Sequence, residues 1–146
     1  MSRASRHAAQ RMARECIGLR ARYLGRLVTR MYDDALRPLG LTAAQLSLLG
    51  AIEGLAPASA KQVGERLDLE KSTLSRNLRL LSDRGWVRVL QPDRGRHRLL
   101  ELTPAGRRLL VRAMPAWQEA QVAARRRLGE ETAEALQGLL PGQERG

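Results

Sequence analysis

The stretch that most constrains this chain is Leu69-Glu70-Lys71-Ser72-Thr73-Leu74-Ser75-Arg76-Asn77-Leu78-Arg79-Leu80-Leu81. Leu74, Leu78 and Leu81 recur at i, i+4 and i+7, one face of an α-helix. Off that face lie Ser72, Thr73, Arg76, Asn77 and Arg79. A helix with so short, polar and basic a face suits close approach to an anionic, hydrogen-bonding surface. Phosphates accept from Ser, Thr and Lys; guanine and adenine edges pair bidentately with Arg and Asn. A solvated surface helix would look the same, so the flanking sequence decides.

Upstream, Ser59-Ala60-Lys61-Gln62 reads as a capping box that opens a short helix with Val63 and Leu67 inward. Leu67-Asp68-Leu69-Glu70 is a brief turn, with Glu70 a weak N-cap for the second helix. Two helices joined by so short a turn form a helix-turn-helix, whose second helix enters the DNA groove. Downstream, Gly85 ends that helix. Trp86–Leu90 and Arg98–Leu102 read as strands about the polar, basic turn Gln91-Pro92-Asp93-Arg94-Gly95-Arg96-His97. The whole is a winged helix with a basic wing.

The run LDLEKSTLSRNLRLLSDRGWVRV, followed by the wing and LTPAG, resembles the MarR family of bacterial transcriptional regulators, and LTRMYDDALRPLGLTAAQLSLL fits the same pattern. The resemblance spans residues 16–140, and the order and spacing of its motifs carry it. It implies a mainly α fold: a winged helix-turn-helix between dimerisation helices. It also implies a homodimer on a pseudo-palindromic operator in double-stranded DNA, acting as a repressor and released by a small phenolic or aromatic ligand or by oxidation. The chain then divides into an N-terminal arm and dimerisation helix (1–39), a DNA-binding unit (40–102) and C-terminal dimerisation helices (103–146). DNA contacts fall to Lys61, Lys71, Ser72, Thr73, Arg76, Asn77, Arg79, Arg94 and Arg96. Trp117 and Tyr23 are the candidate ligand-binding residues, against core packing as the commoner use of a helix Trp. The wing departs from the family's Asp-x-Arg: Arg94 stands where the Asp is expected, Asp93 comes one residue earlier, and Arg96 keeps the tip.

Composition agrees with an anionic partner. The 146 residues carry a formal charge of +11, which favours nucleic acid or a membrane surface. Residues 59–98 hold ten Lys/Arg against five Asp/Glu, and residues 1–40 hold nine against three, whereas residues 99–146 hold seven against six. The reading head and the N-terminal segment are therefore the basic parts. Part of this excess is an arginine bias, since Lys61 and Lys71 are the sole lysines. Aromatics are 3% with no Phe, which argues against a base-stacking platform for single strands. No apolar run reaches the ~18 residues of a membrane span.

Around the reading head the pattern is helical. One helix is expected over residues 8–36, with Leu24, Leu27, Val28, Met31 and Ala35 as its stripe, Leu19 and Tyr23 extending it, and an Arg30–Asp34 pair. Arg-rich residues 1–14 read as a frayed basic arm; their composition overlaps with transit peptides. A second capping box, Thr42-Ala43-Ala44-Gln45, opens a helix with Leu46, Leu49 and Ile52 inward and Gly54 at its end. Thr103-Pro104 starts a long helix to residue 128, where Pro115 should impose a kink, and a last helix covers residues 131–140.

Enzyme chemistry has little support: His7 and His97 lack identifiable partners, and neither zinc spacing nor a phosphate loop occurs. No metal or cofactor is expected. The single cysteine, Cys16, fits a reducing cytoplasm and nucleoid-associated work. Some MarR relatives sense peroxide through a first-helix cysteine tuned by tyrosines. Here Ala43 stands where such sensors carry Tyr, and a packed thiol is the simpler reading. Two rivals to a sequence-specific regulator are a low-specificity architectural DNA-binding protein, favoured by charge, and a Cys16-based redox switch.

Overall fold

The computed structural model describes residues 2–90 and 98–139. Helices α1 (Arg3–Glu15), α2 (Ile17–Leu36) and α3 (Ala43–Leu55) are followed by the short strand β1 (Ala58–Ser59). Helices α4 (Ala60–Leu67) and α5 (Lys71–Asp83) lead into strands β2 (Val87–Leu90) and β3 (Leu99–Leu102). Helices α6 (Pro104–Leu128) and α7 (Glu130–Gly138) complete the chain. The sheet is antiparallel in the order β1-β3-β2, with Val87 opposite Leu102 and Ala58 opposite Leu100. This is the mainly α winged helix expected, with one addition. Residues 56–58 read as loop, yet Ala58 and Ser59 pair with β3. Two residues are too few to carry a strand periodicity.

Both capping boxes form: Thr42 with Gln45 and Ser59 with Gln62 exchange their side-chain and backbone bonds reciprocally. The 3-10 turn Arg37–Leu39 follows α2, and Gly40 closes it at φ 70. Helix α5 ends as its glycine predicts. Gly85 sits at φ 73, its N–H donates to the Ser82 carbonyl, and the Trp86 N–H donates to Leu81. That is a Schellman end, and Trp86 above Leu81 supplies its apolar contact.

Three expectations are corrected in the flanking helices. The first helix begins at Arg3, capped by the Ser2 hydroxyl, so residues 3–15 are helical rather than a frayed arm. It does not run continuously to Leu36. Cys16 adopts an extended conformation (φ −72, ψ 107) and becomes the N-cap of α2, its sulfur accepting from the Leu19 N–H at 3.4 Å. Asp34 pairs with Arg37 at 2.6 Å rather than with Arg30, because the chain tightens into the 3-10 turn there. Helix α6 continues through Pro115 for 25 residues.

The core is one cluster. Leu36 of α2, Leu48, Leu49 and Ile52 of α3, Val63 of α4, Leu74 and Leu81 of α5, Val87 and Leu102 of the wing, and Leu109 and Ala113 of α6 are all buried. Reading head and long helix therefore share an interior, and α2 lies along α6. Among the described residues no single helix is long and apolar enough to cross a membrane.

Candidate nucleic-acid interface

Helix α5 is held from behind. Leu74 and Leu81 are buried and Leu78 is half-buried against the core. Gly64 of α4 lets the two helices close: a Cβ there would lie 3.1 Å from the Leu74 side chain. Asp68, in the left-handed region at φ 50, turns the chain between them, a conformation that Asp tolerates better than most residues. Glu70 makes no side-chain cap bond, as its length leads one to expect.

With its apolar face so fixed, α5 presents Ser72, Arg76 and Arg79 to solvent at i, i+4 and i+7, with Lys71 at its first turn. Lys61 is exposed on α4 and lies 3.9 Å from Glu65. Among the described residues, Lys71, Arg76 and Arg79 take part in no ion pair. Thr73 and Asn77 are different: both are half-buried on the shoulder of the helix, and the Asn77 amide donates to the Thr73 carbonyl at 3.0 Å. Reading a base with Asn77 would require breaking that bond. The wing residues Arg94 and Arg96 lie outside the described residues, as do Asp93 and His97.

The junction behind the wing was less legible. The Thr103 N–H donates to the Trp86 carbonyl at 3.0 Å. The Thr103 hydroxyl donates to the Gly85 carbonyl at 2.6 Å and accepts from Gly106 at 3.1 Å. A Cβ on Gly106 would fall 2.1 Å from the Trp86 carbonyl oxygen, so this glycine permits a close approach beyond simply starting a helix. Arg84 lies 5.1 Å over the Trp86 ring and donates to the Gly40 carbonyl at 3.0 Å. Arg107 reaches Glu53 at 2.9 Å and ties α6 to α3.

Between α2, α3 and α6 lies a cleft of about 420 Å³ lined by Val28, Tyr32, Leu46, Met114 and Trp117 among others. Trp117 is thus on the cleft, while Tyr23 is 55% exposed and lines neither this cleft nor its neighbour. The tyrosine that belongs here is Tyr32, whose hydroxyl donates to Gln121. Burial raises the Tyr32 phenol above its ordinary value, and Arg125 pulls the other way. Tyr32 and Trp117 also line a second space of about 650 Å³ under α7, with Gln121, Arg125 and Gln137 as its polar members. Among the described residues no group of His, Cys, Asp and Glu has the makings of a metal site.

The MarR family model matches residues 39–99, the segment just described. An HTH-type transcriptional regulator of Bacillus subtilis, YwoH, is 31% identical over 78 residues, which is 53% of this chain and 57% of that protein. Among solved structures, the M. tuberculosis transcriptional regulator MosR, in complex with DNA, is 31% identical with a TM-score of 0.70, over 85% of this chain and 98% of that one. A probable transcriptional regulator from Pseudomonas aeruginosa is 28% identical with a TM-score of 0.76, over 86% and 95%. Wild-type MarR of E. coli is 25% identical with a TM-score of 0.69, over 85% and 93%. Similar in sequence and fold over nearly the full length of such relatives, the chain belongs to the MarR family of transcriptional regulators.

Proposed function

We propose that the protein represses transcription by occupying a pseudo-palindromic operator in double-stranded DNA as a homodimer, in the cytoplasm. The observation that carries this reading is the exposed row Ser72, Arg76 and Arg79 on α5, rigidly backed by Leu74 and Leu81 and without carboxylate partners among the described residues. A helix fits the major groove, and a cationic face without local counter-charges is free for phosphates and guanine edges. That MosR is solved with DNA supports it. Lys61 and Lys71 act as phosphate contacts, Arg76 as a base reader, and Arg94 and Arg96 as wing contacts to the flanking minor groove. The helices outside residues 40–102 join the two subunits: Ile17, Leu19 and Tyr23 are apolar and exposed in the single chain, and a two-fold contact would cover them.

A small phenolic or aromatic acid in the cleft beside Trp117 and Tyr32 releases the DNA. The cleft touches both α3 of the reading head and the long helices, so a ligand there can bias their relative placement. No catalytic role is proposed. Footprinting on the DNA upstream of the protein's own gene tests the reading. Discrete protection of a two-fold symmetric site is expected. Uniform coverage would favour the architectural alternative, for which the charge of +11 speaks.

A further inference from the structure

Helix α1 has no buried residue. A 13-residue helix without a packing partner is marginal in water. Its sequence nevertheless has two ordered faces. Arg3, His7, Arg11 and Arg14 recur at i, i+4, i+8 and i+11, and Ala4, Ala8 and Met12 form a stripe beside them that flanks an open groove ending at Cys16. The charges are also set the wrong way round. No acid stands in the first turn of α1, so Arg3 and Arg6 face the positive end of the helix dipole. Arg11 has Glu15 at 2.9 Å, while Arg3, Arg6 and Arg14 are in no ion pair among the described residues.

Helix α7 has the complementary problem. Ala133 is buried and Leu136 half-buried, which turns Glu130, Glu131 and Glu134 outward. Arg125 takes Glu130. Glu131 and Glu134 are exposed and in no ion pair among the described residues. Arg3–Arg6 and Glu131–Glu134 are both i,i+3 pairs, so each places its two charges about 4.5 Å apart along the axis.

Within one chain the two faces stay apart and uncovered. We propose that α1 clasps α7 of a second copy, with Arg3 and Arg6 against Glu131 and Glu134 and the Ala4–Ala8–Met12 stripe turned to the partner. The inference rests on the homodimer reading and assigns it a contact. A two-fold axis makes this contact twice, so individually weak exposed pairs act together.

The test is sedimentation of the full chain, with circular dichroism as a check on helix content. Arg3→Glu with Arg6→Glu should raise the dimer Kd about tenfold in low salt, the combined effect of several exposed pairs. Glu131→Arg with Glu134→Arg should do the same. Joining all four substitutions should bring Kd back to near the wild-type value. High salt should weaken the wild-type dimer and narrow these differences. An unchanged Kd in both paired variants, or no recovery in the fourfold one, overturns the clasp while leaving the homodimer standing. Weaker DNA binding by the α1 variant with its dimer unchanged would make α1 a phosphate-contacting arm instead, and also overturns it. A wild-type monomer at micromolar concentration would remove the homodimer reading itself.

Discussion

Gly106 shows how one hydrogen atom in place of a side chain sets the wing against the long helix. An alanine there would gain helix propensity, at most about 1 kcal/mol near a helix start. It would also place a carbon 2.1 Å from the Trp86 carbonyl oxygen, a backbone atom already bonded to Thr103. Neither backbone can give way alone, and overpacking of this kind costs about 1–3 kcal/mol or more. The clash outweighs the propensity. Gly106→Ala should therefore lower the stability by about 2 kcal/mol in urea unfolding followed by circular dichroism, and a variant as stable as wild type would refute the close approach. Cys16 has an equally local role as the cap of α2. Serine caps a helix at least as well, so Cys16→Ser should leave DNA binding and its release unchanged. Release of the native protein by peroxide, but not of the serine variant, would instead establish the redox switch.

Among the elements, those organised by a long-period apolar pattern or a local cap were legible in the sequence: α3, α4, α5, the wing strands and the start of α6 need only their own residues to be recognised. What was not legible depends on distant partners. The pairing of Ala58 with Leu100 and the seat of Arg84 over Trp86 join residues far apart in sequence. The break at Cys16 lies in a run of residues that are all compatible with helix, so no local rule announces it. The candidate site divides in the same way. Periodicity identified the face with Ser72, Arg76 and Arg79, but the bond that turns Asn77 back to Thr73 is a rotamer choice. Tyr23 and Tyr32 lie nine residues apart on α2, and only the packing of α6 selects Tyr32 for the cleft. That packing makes Tyr32 a probe of the α2–α6 junction. Its phenol is held above the ordinary 10.0 by burial, against the pull of Arg125. The folded protein thus keeps this proton longer than the unfolded chain does. The resulting stability is complete below pH 10 and is lost as pH rises through the folded value. Urea unfolding between about pH 8 and about pH 11 should give a shallower alkaline decline for Tyr32→Phe than for wild type. Parallel curves would place Tyr32 in open solvent.

For the molecule as a whole, charge and shape make separable contributions to DNA binding. The formal charge of +11 creates a field that attracts any duplex, and its effect falls steeply with salt because it acts by displacing counterions from phosphates. Only a side chain seated against base edges distinguishes one duplex from another. Arg76 meets that condition: it is exposed at the centre of α5, one turn past Ser72, on a helix whose rear face is locked into the core. A bidentate contact to guanine gives about 1–3 kcal/mol of discrimination. Arg76→Ala should therefore weaken binding to the operator by about ten- to a hundredfold, and to random duplex by much less. The wing arginine Arg96 supplies the contrast. As a phosphate or groove-width contact it should, when changed to alanine, weaken both duplexes alike and flatten the slope of log K against log salt by about 0.9. Affinities for both duplexes at three salt concentrations separate the two roles. Equal losses on both duplexes for Arg76→Ala would reduce α5 to one more patch of a uniform positive field, and the architectural reading would then stand in place of the regulator.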